Sequence, residues 1–150
     1  MSIIIYTDGG SRGNPGHAGA GGVIMENCTE KILAEISVYL GKQTNNYAEY
    51  SSLILTLEKA IELGLTKESI KVAMDSKLVI SQINGVWKVK HPNIIPLYNR
   101  AKELSNQFDN IVFAHINRER NSLADALANK AMDSIKNDIS IKNCNNSLNL

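Results

Sequence analysis

Apolar positions first gather in the run Ile3-Ile4-Ile5-Tyr6, β-branched and aromatic residues that predict a buried strand. It ends at Thr7-Asp8, and a glycine-rich turn is expected over residues 9–16. Two further strands are expected over residues 21–25 and 32–40. In the second, Ile32, Ala34, Ile36, Val38 and Leu40 alternate with mostly polar residues, the period of a half-buried strand. A turn near Asn27 to Lys31 is the simplest antiparallel link between them. From about residue 45 to 63 the period changes: Tyr50, Leu53, Ile54, Leu57 and Ile61 recur at helical spacing, and Gly64 suits the stop. Ile70, Val72 and Met74 predict a short strand ending at Asp75, with Ser76 capping a helix that ends near Gly85. A helix over roughly 95–108 and a strand over 111–116 follow. Asn121 is then expected to cap a helix carrying Leu123, Ala124, Leu127, Ala128 and Ala131.

The predicted order is three strands, helix, strand, two helices, strand, helix. That is an α/β fold whose first and fourth strands can pair in parallel across the helical crossover. Asp8 and Asp75 both fall at the C-terminal ends of strands, where open α/β sheets bind ligands. Glu49 lies in the first turns of the long helix and Asp125 near the start of the last one, so four carboxylates can converge at one edge. One domain is expected over residues 1–136, followed by a polar tail, 137–150, rich in Asn, Ser and Lys.

Convergent carboxylates suit hard divalent cations such as Mg²⁺, which take oxygen ligands and leave part of their shell to water and phosphate. A pair of such ions can activate water and stabilise the leaving oxygen of a phosphodiester. Each acid alone has a simpler reading: Asp75-Ser76 can start a helix, and Asp125 can favour a helix dipole. Charge adds little. The net charge of +1 over 150 residues gives no global attraction to nucleic acid, so binding would need a local basic patch. Cys28 and Cys144 fit no metal spacing and read as free thiols of a reducing compartment. With no signal-like start and no apolar run of membrane length, a cytoplasmic protein is expected.

The residue strings go further. Tyr6-Thr7-Asp8-Gly9-Gly10-Ser11-Arg12-Gly13-Asn14-Pro15-Gly16 resembles the opening motif of type 1 ribonuclease H. Thr44-Asn45-Asn46-Tyr47-Ala48-Glu49-Tyr50 resembles that family's second motif, Met74-Asp75-Ser76 its third, and the segment from Asn117 to Asn129 its fourth. All four occur in the right order across nearly the whole ordered chain. The resemblance implies a ribonuclease H-like five-stranded mixed sheet, three antiparallel strands then parallel ones, flanked by helices. It implies Asp8, Glu49, Asp75 and Asp125 as catalytic metal ligands for two Mg²⁺ ions, with Mn²⁺ as an alternative. The implied activity is hydrolysis of the RNA strand of RNA–DNA hybrids to 5′-phosphate and 3′-hydroxyl ends. Gly9, Gly10, Ser11, Arg12, Gly13 and Asn14, with Asn45 and Asn46, are implied to contact the hybrid. Glycines 9, 10, 13 and 16 would allow close backbone approach and positive φ.

Two departures from the family pattern stand out. Many bacterial members carry a loop His before the last Asp; here residues 117–120 contain none, as in a related short-loop subgroup. Arg118 or Arg120 is then expected to approach the phosphate, while His115 falls on a strand face, where a histidine is more commonly packed or at the surface. The basic helical protrusion of some members is also missing. Trp87, Lys88 and Lys90, with Lys77 near the site, form a reduced phosphate-binding patch, or else Trp87 packs on the core and the lysines are solvated. No P-loop occurs, the glycine-rich segment leads into a strand rather than a helix, and the three histidines have no zinc spacing. Hybrid binding by a monomer is expected. A different substrate duplex, or a non-catalytic binding module of the same fold, are the competing readings.

Overall fold

A computed structural model describes residues 1–134. The expected domain end at 136 and the tail 137–150 lie outside the described residues. Strands β1 (Ser2–Gly13), β2 (Gly16–Glu26) and β3 (Ile32–Gln43) precede α1 (Asn45–Glu62). Then come β4 (Ser69–Met74), α2 (Lys77–Ile83), α3 (Ile95–Ser105), β5 (Asn110–His115) and a 3-10 turn (Arg118–Asn121). A last helix, α4, runs over residues 122–134. The sheet order is β3-β2-β1-β4-β5. β1 pairs antiparallel with β2 and parallel with β4, as the crossover predicted. Among the described residues, no helix is long and apolar enough to cross a membrane.

α1 lies on one face of the sheet with α2 and α3, and their shared core holds Ile3, Ile5, Leu53, Leu57, Val72, Met74, Val79 and Leu104. Burying each such side chain contributes about 1.5–3 kcal/mol. The helix starts where expected because the Thr44 hydroxyl accepts the Tyr47 N–H at 3.2 Å. α4 covers the other face, with Ala124, Ala128, Ala131 and Met132 buried.

Four expectations are corrected. The glycine-rich segment is not a long turn: β1 continues to Gly13, its Gly9 to Gly13 paired with Ala20 to Gly16, and only Gly13 to Gly16 reverses the chain. Of its glycines only Gly13 has positive φ, 104°. Gly9 serves close approach instead, since a Cβ there would sit 2.1 Å from the Ala48 carbonyl oxygen. On β3 the simple alternation fails, because the pairing skips Leu33 and Leu40. Such bulges shift which face a side chain meets, so Leu33 packs on the core while Ile32 and Val38 are exposed. α3 stops at Ser105, although Phe108 beyond it is buried. Asn121 is not a helix cap; it ends the 3-10 turn, buried, with its amide donating to the Thr7 carbonyl at 2.9 Å.

Candidate active site

Four elements deliver the acids. Asp8 follows the apolar half of β1 and is nearly buried. Asp75 follows β4, whose register places Met74 beside Thr7, so both acids leave the parallel pair at the same level. Glu49 comes from the second turn of α1, held against β1 by the Gly9–Ala48 contact. Ligand oxygens of Asp8, Glu49 and Asp75 lie within 4.8 Å of one another. Asp125, on the first turn of α4, sits close enough to Asp8 for the two carboxyls to share a hydrogen bond. Asn129, one turn further on, donates to Asp125 Oδ2 at 3.3 Å.

This proximity strains the ionised state. Burial, then the Asp75 charge, then the hydrogen bond and charge of Asp125 push the Asp8 carboxyl up to about 8. Glu49 is held well above the usual carboxylate range, first by burial and then by the Asp8 and Asp75 charges, with Arg118 opposing the shift. Its buried Oε2 has no hydrogen-bond partner among the described residues. A buried, unpartnered carboxylate oxygen among like charges is what a divalent cation with oxygen ligands relieves, so the residues fit such an ion. Asp8, Glu49 and Asp75 could hold one directly, with Asp125 joining through its neighbour Asp8.

The acids line a cavity of about 600 Å³ whose walls include Gly9, Gly10, Ser11, Arg12, Asn45, Asn46, Ser76, Arg118 and Asn129. Two hydrogen bonds lock its rim: the Ser11 N–H donates to Asn45 Oδ1 at 2.9 Å, and the Asn45 N–H donates to Asn14 Oδ1 at 3.2 Å. Arg12 pairs with Asp133 at 2.7 Å. A second cavity of about 670 Å³ adjoins the first through Asn46 and is lined by Asn14, Thr44, Tyr47, Gln82, Lys88, Lys90 and His91.

The sequence-derived candidates therefore separate into groups. The four acids, Gly9 to Arg12, Asn45, Asn46 and Arg118 share the acidic cavity. Asn14, Lys88 and Lys90 face the second cavity, with Asn46 in both. Trp87 is 43% exposed and lines a third hollow with Val89, Ile95 and Tyr98. Lys77 is exposed at the start of α2, and Gly13 sits in the hairpin turn; neither lines the two main cavities. Arg120 and His115 are also exposed and outside both. Sequence reasoning overlooked Asn129, although its four-residue spacing from Asp125 puts the two on one helix face. It also overlooked His91 and Thr44 as cavity walls, for which the sequence offers no periodic signal.

Comparison with known proteins agrees with this geometry. The reverse transcriptase-like family model matches residues 6–131. A bifunctional protein of Mycobacterium tuberculosis is 49% identical over 133 residues, covering 89% of this chain but 36% of that protein. The chain thus spans about a third of these mycobacterial relatives, 36% of their length. A ribonuclease H of Ruthia magnifica is 36% identical, covering 89% of this chain and 97% of that one. LC11-RNase H1, solved in complex with an RNA/DNA hybrid, matches with a TM-score of 0.84 at 44% identity, over 89% of this chain and 98% of that one. With the five-stranded mixed sheet and the acid cluster at its switch point, these matches establish that the chain belongs to the ribonuclease H family.

Proposed function

We propose that this chain is a metal-dependent endonuclease that hydrolyses the RNA strand of RNA–DNA hybrids, leaving 5′-phosphate and 3′-hydroxyl ends. The observation that carries this reading is the convergence of Asp8, Glu49 and Asp75 within 4.8 Å, beside a rim of fixed amide groups. Two Mg²⁺ or Mn²⁺ ions held by the four acids would supply positive charge to the scissile phosphate and lower the pKa of the attacking water. The carboxylates hold that charge in place. Arg118, on the cavity wall, faces the phosphate's remaining charge.

The rim reads the duplex. A backbone N–H can only donate, so Asn45 Oδ1 and Asn14 Oδ1 are committed as acceptors and their NH₂ groups remain as donors. Every base pair presents acceptors in the minor groove, and a 2′-hydroxyl accepts as well, so such donors favour an RNA-containing duplex of any sequence. Lys88 and Lys90, across Asn46 from the acids, suit phosphates further along the hybrid. The connection from β5 to α4 is only the stretch from Ile116 through the 3-10 turn, and residues 84–94 join α2 to α3, which supports the short-loop subgroup without a basic protrusion. All four acids come from one chain, which supports a monomer as the working unit.

Hybrids carrying a label on either strand, with matched RNA–RNA and DNA–DNA duplexes, test the substrate and the products. The expected result is Mg²⁺- or Mn²⁺-dependent cutting of the hybrid's RNA strand alone, with fragments that a polymerase extends from their 3′ ends. Cutting of the RNA–RNA duplex at a comparable rate would contradict the substrate assignment. Hybrid binding without cleavage under either metal would favour a binding module.

A further inference from the structure

Asn121 is 1% exposed and bridges distant parts of the chain, its amide reaching the Thr7 carbonyl across 114 positions. Among the described residues its own Oδ1 has no hydrogen-bond partner, and the buried side chain makes one bond. Thr7 is fully buried, is the last β1 residue paired with β4, and immediately precedes Asp8. Asn121 stands four residues before Asp125, one helical turn. The Asn121–Thr7 bond and the Asp125–Asp8 contact are therefore adjacent rungs between the same two elements.

Further along α4, the Ser37 hydroxyl donates to the Leu127 carbonyl at 2.7 Å and Arg12 pairs with Asp133, but the packing at its entrance fixes depth better than register. A Cβ on Gly21 would meet the Ala124 carbonyl oxygen at 2.2 Å, and one on Gly19 the Ala128 carbonyl oxygen at 2.5 Å. The helix thus rides directly on glycine backbone, its buried side there mostly Ala124, Ala128 and Ala131. Small residues facing glycines offer little ridge-and-groove interlock against sliding or rotation. A rotation by one residue turns a helix through about 100°, enough to carry Asp125 away from Asp8. The Asn121–Thr7 hydrogen bond is the directional contact at the helix entrance, the end of α4 that carries Asp125.

We infer that Asn121 is a positioning residue that, through the Thr7 carbonyl, sets the register of α4 and so places Asp125 against Asp8. This rests on the reading of the four acids as a divalent-cation site. The test compares wild type, Asn121→Ala and Leu104→Ala, a core truncation on α3 that destabilises the fold away from the acids. Mn²⁺ affinity is measured by calorimetry, and kcat and KM are measured on a hybrid, at a temperature where circular dichroism shows each protein folded. Asn121→Ala is expected to weaken Mn²⁺ binding and lower kcat each by tenfold or more, with KM within threefold of wild type. Leu104→Ala should leave all three near wild type. If Asn121→Ala does not fold, Asn121→Ser, which keeps a shorter donor, is read by the same quantities. The wild-type Asn121 side-chain amide protons should also exchange far more slowly than those of exposed Asn27. Equal exchange, or an Asn121 variant no more impaired than Leu104→Ala, overturns the inference. Wild-type protein that neither binds Mn²⁺ nor cuts hybrid sinks the functional reading and this inference with it; intact wild-type behaviour beside an unimpaired variant sinks this inference alone.

Discussion

At Asp8 the fold works against ionisation, and the consequence is measurable. A carboxyl whose pKa moves from 3.8 in the unfolded chain to about 8 in the fold binds more protons folded than unfolded between those values. Stability of the metal-free protein is therefore fully present at low pH and falls as pH rises through that window. Glu49, raised for the same reasons, adds in the same direction. Melting temperature in the presence of a chelator should accordingly drop between about pH 5 and pH 8, and a flat profile would contradict the crowded-acid account. Saturating Mg²⁺ should reverse the loss: a ligand at a hundred times its Kd stabilises by about 2.7 kcal/mol, a shift of several degrees. Asp75→Asn removes one of the repelling charges. It should raise the chelator-state melting temperature while lowering turnover by at least about a hundredfold, the scale seen when one group stabilising transition-state charge is removed. A variant that lost stability and activity together would point to a structural role for Asp75.

Glycine contacts decide how close the elements come. Gly21 lets α4 rest on β2, and Gly21→Ala would drive a Cβ to 2.2 Å from the Ala124 carbonyl oxygen. Overpacking of that kind costs about 1–3 kcal/mol. Thermal unfolding of Gly21→Ala should show that loss, together with weaker Mn²⁺ binding as α4 and Asp125 lift from Asp8; an unchanged melting point would mean the helix is less tightly seated. The same contacts explain what the chain's pattern disclosed. Strand β1 and helix α1 carry long apolar side chains at regular intervals, so their places, and those of Asp8 and Glu49, were legible from periodicity. Pattern reading was misled over Gly9 to Gly13, where three glycines that show no alternation read as a turn but continue β1. It was misled on β3, where bulges at Leu33 and Leu40 reset the phase, a matter of pairing with β2 rather than of β3's own residues. Asn121 looks like a cap because caps are local, whereas its partner is Thr7, 114 positions away.

Across the molecule, charge is nearly balanced, so attraction to a polyanion must come from placement. Lys88 and Lys90 share the second cavity, one amide rim away from the acids. Replacing both with Ala should weaken binding of all hybrids to a similar degree and reduce the salt slope by roughly 0.9 for each phosphate no longer neutralised. An unchanged slope would assign these lysines to a solvated surface. The four motif strings located the acids and the rim amides, but not the division of labour between two cavities, which depends on how the α2–α3 connection folds back beside the start of α1. The most direct test of the whole account is cleavage of an end-labelled RNA–DNA hybrid by wild type and by Asp75→Asn, each with Mg²⁺, with Mn²⁺ and with chelator, after folding is verified. The account predicts RNA-strand cutting by wild type with metal, none with chelator, and almost none by the variant. Chelator-resistant cutting, or an Asp75→Asn variant as active as wild type, would contradict it.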